Sequence, residues 1–201
     1  MTDSARVILL TGPSGSGKSS LAARAGLPVL RLDDFYKEAG DPSLPLLPGG
    51  GTDWDAPGSW DAEAALAAVR ELCERGRTRA PVYDISASAR AGEAEVELGA
   101  ARLFVAEGIF AAQLTRRCAE LGLLADALCL RGRPSTTFRR RLLRDVRESR
   151  KPLPVLLARG WRLMRAEPGI VAGHVALGAH PCRGPEALSR IAAAERTPSR
   201  V

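Results

Sequence analysis

Residues 12–19 read Gly-Pro-Ser-Gly-Ser-Gly-Lys-Ser, and no other feature of the chain restricts its fold as much. The G-x-x-x-x-G-K-[ST] pattern carries meaning only between a strand and a helix, and both are legible around it. Arg6 to Thr11, RVILLT, is a short apolar run of strand type, and Ser16 to Ala25 reads as a helix. Glycines let such a loop curl until its backbone N–H groups and the helix N-terminus surround a β-phosphate. Lys18 then spans the β- and γ-phosphates and the Ser19 hydroxyl suits Mg2+. Gly12, Pro13, Ser14, Gly15, Ser16, Gly17, Lys18, Ser19 and Ser20 are the candidate ATP-binding residues.

The rest of the chain supplies the sheet that such a loop needs. A second short strand, Pro28 to Leu32, ends at Asp33-Asp34 and is followed by a loop rich in Pro and Gly to about Gly58. Loops of that length usually carry function or disorder. Ser59 is the expected cap of a helix that begins at Trp60 and stops at Gly76. Arg79 to Asp84 and Ala94 to Leu98 read as two strands around a polar connection, Ile85 to Glu93, forming a hairpin that projects from the sheet. Arg102 to Ala106 is a buried strand ending at Glu107-Gly108, Ala112 to Leu121 a helix, and Ala125 to Leu130 another buried strand. Continuously apolar strands alternating with helices imply a parallel sheet. Pro134 opens an arginine-rich helix reaching about Arg150, and the remainder reads as helix broken at Pro154, Pro168, Pro181 and Pro185. The expectation is one α/β domain over 1–201, a parallel sheet flanked by helices, with a helical lid over 134–151, a substrate-side hairpin and further helices over 153–195.

Charge could suggest a nucleic-acid partner, since the formal net charge is +6 and the pI near 9.7. Yet 26 of the 29 basic residues are arginines in an alanine-rich chain, a bias that an entire genome can impose, so bulk charge has little weight and no nucleic-acid partner is expected. Cys73, Cys118, Cys129 and Cys182 are scattered without metal-site spacing and read as buried reduced thiols. No leader pattern or membrane-length apolar run is present, so a cytoplasmic protein with no membrane partner is expected.

Several further segments carry a resemblance. With the phosphate loop, Asp33-Asp34-Phe35-Tyr36-Lys37, Trp54-Asp55-Ala56-Pro57-Gly58-Ser59-Trp60-Asp61, Pro81-Val82-Tyr83-Asp84, Glu107-Gly108-Ile109 and Arg140-Arg141-Leu142-Leu143-Arg144-Asp145, the chain resembles the uridine kinase family from about Val7 to Lys151. The resemblance implies a P-loop NTPase-type fold and transfer of the γ-phosphate of ATP or GTP to the 5′-hydroxyl of uridine or cytidine, and it is compatible with a homo-oligomer. A carboxylate 15 residues beyond Lys18, at the end of a strand beside the phosphate loop, can orient an acceptor hydroxyl and take its proton. The resemblance assigns that role to Asp33, while Asp34 stands where the family usually has a small polar residue. Glu107, after its strand, is suited to hold a magnesium-bound water.

Five of the nine Phe, Trp and Tyr residues, Phe35, Tyr36, Trp54, Trp60 and Tyr83, fall in segments that the resemblance makes substrate-facing, and a nucleobase binds by stacking. In that setting Asp55 could hold ribose hydroxyls and Tyr83 could pack against or hydrogen-bond the base. Ala56 and Ser88 occupy places where the family often has histidine, which removes donors that discriminate the pyrimidine. On the helix after Pro134, Arg140, Arg144, Arg147 and Lys151 fall within about a 60° arc. Such a stripe can close over the triphosphate, Arg140 toward ATP and Arg144 toward the transferring phosphoryl group and the acceptor; Asp145 and Glu148 fit a solvated face instead. His174 and His180 read as structural or solvated. Two other readings stay open: a kinase for another small hydroxyl acceptor, and an ATP-binding switch protein.

Overall fold

A computed structural model describes residues 4–132, 136–139 and 153–197, with the side chains of 153–160, 162 and 163 excepted. Five parallel strands form the central sheet: β1 (Arg6–Thr11), β2 (Val29–Arg31), β5 (Leu103–Glu107), β6 (Leu124–Leu130) and β7 (His180–Cys182), in the order β2-β5-β1-β6-β7. β1 shows why the strands are apolar throughout. Val7 and Leu9 face one apolar layer, with Phe104, Ala106, Leu114 and Cys118, while Ile8 and Leu10 face another, with Val105, Leu128 and Leu130. Alternate residues point to opposite faces, and here both faces are covered. Each fully buried Ile or Leu of this strand contributes about 1.5–3 kcal/mol of transfer free energy.

Helix α1 (Lys18–Ala25) buries Leu21 and Ala22 on the second face, beside Ala187 and Ile191 of α5 (Gly184–Arg196). Helix α2 (Ala62–Arg75) buries Leu66, Val69, Leu72 and Cys73 on the first, next to α3 (Thr115–Glu120) with its buried Cys118. The chain leaves β1 toward β2 on one side and leaves β5 toward β6 on the other, so β1 ends where the connections diverge. Ligands of open α/β sheets bind at the carboxyl ends of strands around such a point. The hairpin of β3 (Arg77–Asp84) and β4 (Ala89–Glu97) forms its own two-stranded sheet, as expected of a hairpin outside the main one.

Details differ from the sequence reading for local reasons. Ser59 does not cap α2: it sits in a 3-10 turn, fully buried, and its hydroxyl donates to Ala56 O at 2.7 Å. The cap is Asp61, whose Oδ1 accepts from Ala64 N at 2.9 Å. The hairpin connection shrinks to residues 85–88, because Asp84 Oδ1 accepts from Ser86 N and Ala87 N and tightens the turn. The stretch from Ala112 starts as a 3-10 turn, Ala111–Leu114, before α3.

In the carboxyl-terminal region, helix α4 (Leu153–Ala176) continues through Pro168, and Pro181 lies in β7 rather than in a helix break. Proline is tolerated there because, among the described residues, β7 is an edge strand paired only with β6. The bidentate pair from Arg190 to Asp126 (2.9 and 3.1 Å) fixes α5 against β6. Of the candidate lid, 136–139 are helical, and Arg140, Arg144, Arg147 and Lys151 lie outside the described residues. Among the described residues, no helix is long and apolar enough to cross a membrane. The four cysteines are free and buried, in line with the sequence reading.

Candidate functional site

The phosphate loop starts under a steric constraint. Gly12 has φ 143°, and a Cβ there would stand 2.4 Å from Leu130 O at the end of β6, so only glycine lets β1 turn so close to its neighbour. Ser16 N donates to Pro13 O at 3.0 Å, closing the curl. Lys18 is 6% exposed, and its ammonium donates to Gly12 O at 3.0 Å within the loop. Among the described residues no side chain caps the amino end of α1, and no acidic residue occupies its first turn, so its N–H groups and partial positive charge face the loop. That arrangement suits an anion.

Strand register brings the acidic groups to the same edge. Glu107 at the end of β5 pairs with Leu10 of β1 on one side and Arg31 of β2 on the other. Its Oε1 accepts from Ser19 Oγ at 2.7 Å, and its Oε2 is buried with no hydrogen-bond partner among the described residues. Burial pushes the Glu107 carboxyl above its usual pKa range, against the Ser19 hydrogen bond and the Lys18 cation, and the nearby Asp33 raises it further. Serine hydroxyl and carboxylate are the hard oxygen donors that Mg2+ takes together with phosphate oxygens. Ser19 and Glu107 thus fit that ion, and among the described residues no cluster of three or more acidic, His or Cys side chains offers a protein-only cage.

Asp33 and Asp34, adjacent in a 3-10 turn after β2, do different things. Asp33 Oδ1 accepts from Ile109 N at 2.8 Å, which draws the carboxylate toward the loop after β5. Gly108 makes this approach possible, since a Cβ there would stand 2.9 Å from Asp33 Oδ1 and from Leu32 Cβ. Asp34 turns away into the hairpin contact: Arg31 lies 3.4 Å from its Oδ2 and Tyr83 N 3.4 Å from its Oδ1. Burial raises the Asp34 pKa, with Arg31 and the Tyr83 N–H opposing.

Tyr36, Trp54, Tyr83, Phe110 and Trp60 form one cluster beside this edge. The Tyr36 ring lies 6.0 Å from Trp54, 5.7 Å from Tyr83 and 5.9 Å from Phe110, and its hydroxyl donates to Trp54 O at 3.2 Å. Tyr83 donates to Lys37 O at 3.0 Å, and burial raises its pKa while a hydrogen bond with Ser88 lowers it. Ser88, at the place of the absent imidazole, therefore touches Tyr83. Trp60 is a core residue, 3% exposed, with its indole N–H on Leu32 O at 2.7 Å. Phe110, which completes the cluster, lies one residue beyond the Glu107-Gly108-Ile109 segment, so the sequence reading stops short of it. Asp55 is exposed in the adjoining loop, its backbone N held by Asp53 Oδ1 at 3.1 Å. A polar groove of about 410 Å3 between α2 and the hairpin, with Glu71, Arg75, Thr78 and Arg79 in its wall, shares no lining residue with the phosphate loop.

No protein-family model matches the chain. It is 32% identical over 113 residues to a uridine kinase of Schizosaccharomyces pombe, covering 53% of this chain and 25% of that protein. A uridine kinase of Clostridium novyi is 26% identical over 151 residues, covering 71% of this chain and 69% of the relative. The chain thus spans about a quarter of the first relative and about two thirds of the second. In fold, it resembles the crystal structure of a protein provisionally named a fructose transport system kinase, from Silicibacter sp. TM1040, with a TM-score of 0.61, 21% identity and 85% of each chain covered.

Proposed function

We propose that this protein is a P-loop kinase that transfers the γ-phosphoryl group of ATP or GTP to a hydroxyl of a small acceptor, with the 5′-hydroxyl of a pyrimidine nucleoside as the acceptor. The observation that carries the reading is the convergence of Lys18, Ser19, Glu107 and Asp33 at the carboxyl ends of three adjacent strands, with an aromatic cluster beside them. Similarity to uridine kinases over 53% and 71% of the chain supports it.

In this mechanism the loop N–H groups and Lys18 hold the β- and γ-phosphates. Asp33 has its Oδ1 on the Ile109 N–H, which leaves Oδ2 to take the proton of the acceptor hydroxyl as its oxygen attacks phosphorus. The bond from phosphorus to the β–γ bridging oxygen breaks and the nucleoside diphosphate leaves. Bound at Ser19 and Glu107, Mg2+ would neutralise charge on the phosphate oxygens. Tyr36 and Tyr83 stack on the acceptor base, Asp55 takes its ribose hydroxyls, and Arg140 and Arg144 offset charge on the transferring group.

Ala56 and Ser88 favour a second acceptor class, a small alcohol without a pyrimidine ring, because neither supplies an imidazole donor. The deciding experiment is a screen of nucleosides, sugars and vitamin alcohols with ATP and Mg2+, read by phosphorylated product. Acceptor-dependent ADP release supports the kinase, and acceptor-independent slow hydrolysis would identify a switch protein instead.

A further inference from the structure

Behind the phosphate loop, His174 near the end of α4 reaches the ends of two central strands. Its Nδ1 lies 3.3 Å from Thr11 Oγ1 and 3.7 Å from Cys129 Sγ. Thr11 is 1% exposed, and its hydroxyl donates to Ile109 O at 3.1 Å. A hydroxyl has one hydrogen, so toward His174 it can only accept, and the histidine must carry its proton on Nδ1. Burial and the nearby Lys18 cation hold the ring below its ordinary pKa, in keeping with a neutral ring that has one such tautomer. Ile109 then donates its own N–H to Asp33 Oδ1 at 2.8 Å. Three hydrogen bonds therefore run from His174 through Thr11 and both polar backbone groups of Ile109 to Asp33.

We propose that His174 is a positioning residue for Asp33, acting through Thr11 and Ile109, so that α4 sets the orientation of the acceptor-side carboxylate. The proposal rests on the kinase reading for its catalytic consequence. An apolar pair could fill the space of Thr11 and His174 without burying polar atoms; what the polar pair adds is a single fixed geometry at Ile109. A carboxylate that must meet an acceptor hydroxyl depends on such placement, because small displacements of a reacting group cost rate steeply.

The test uses the full chain with two readouts, the Ile109 amide resonance by NMR and steady-state kinetics with ATP and the best acceptor. His174→Leu and Thr11→Val should each shift the Ile109 resonance and lower kcat about three- to tenfold, the worth of one neutral hydrogen bond, with ATP KM within about twofold. His174→Asn, whose Nδ2–H takes the place of Nδ1–H, and Thr11→Ser, which keeps the hydroxyl, should restore both readouts. The double variant His174→Leu/Thr11→Val should be no worse than Thr11→Val, because both break one chain. An unmoved Ile109 resonance in His174→Leu, or an Asn variant as impaired as the Leu variant, overturns the proposal by making His174 a packing residue. If the unaltered chain phosphorylates no acceptor, the kinase reading falls, and the Ile109 resonance alone decides the relay.

Discussion

The two sides of the proposed kinase site are built differently. The phosphate side is eight consecutive residues that run from the end of β1 into the first turn of α1, with Gly12 pressed against Leu130 O and Ser19 bonded to Glu107 at 2.7 Å. The acceptor side is gathered from a turn after β2, a long loop, a hairpin and the loop after β5, which meet as the rings of Tyr36, Trp54, Tyr83 and Phe110. One side rests on sheet register and backbone N–H groups that tolerate little change, the other on side chains carried by loops. A phosphate is the same in every nucleoside triphosphate and needs one cradle; an acceptor varies, and loops are where a fold accommodates variation.

Substitutions can break this division, and the largest effect belongs to the phosphate side. Lys18→Ala should lower phosphoryl transfer by about a thousandfold or more, with the circular dichroism spectrum preserved, since the ammonium acts on phosphate charge. Full activity in that variant would remove the phosphate-loop reading altogether. Asp33→Asn comes next. It should keep ATP affinity and lower kcat by about a hundredfold, as for a lost general base, while Asp34→Asn stays within about threefold because Asp34 holds the hairpin. Equal losses in the two variants would erase the distinction drawn between the neighbours.

Tyr36→Ala should raise acceptor KM about tenfold and leave ATP KM unchanged, which sharpens the separation of the two sides. A matching rise in ATP KM would show that the aromatic cluster serves both. The smallest effect concerns stability. The folded-state pKa of Glu107 is raised by burial, so protonation favours the folded form: its stabilising contribution is complete below the unfolded pKa and is lost as pH rises through the folded value. Glu107→Gln should therefore melt above the unaltered protein at pH 7 in the absence of Mg2+, with the gap closing toward pH 4.5, while its phosphoryl transfer falls. A gap that widens on acidification would contradict the assigned cause.

How much could be read in the sequence follows the same division. β1, the phosphate loop and α1 were legible because strand, glycines and helix start are contiguous, and β5 and β6 because buried parallel strands are apolar without interruption. Ser59 was misread for Asp61 because both are capping residues two positions apart, and only the Ala64 N–H chooses between them. β7 was missed since three residues around Pro181 carry no periodicity. His174 read only as structural or solvated, because Thr11 lies 163 residues away and no local pattern announces that contact. Glu167, 3% exposed in α4 with Thr137 Oγ1 at 3.5 Å, escaped notice for the same reason.

Sheet order also has a consequence for the time at which the phosphate loop takes shape. β1 pairs with β5 and β6 alone, and its first partner residue, Leu103, lies 97 positions beyond Arg6. At synthesis rates of roughly 5–20 residues per second, β1 waits roughly 5–20 s on the ribosome before a neighbouring strand exists. During that interval RVILLT is an unpaired apolar segment, and the Leu130 O that shapes Gly12 has not yet been made. The most local motif in the sequence is thus a late product of folding, its curvature set by contacts of high sequence separation that are slow to form. Refolding should accordingly recover the Gly12 and Lys18 amide environments together with β6, well after α2 has formed its first turns.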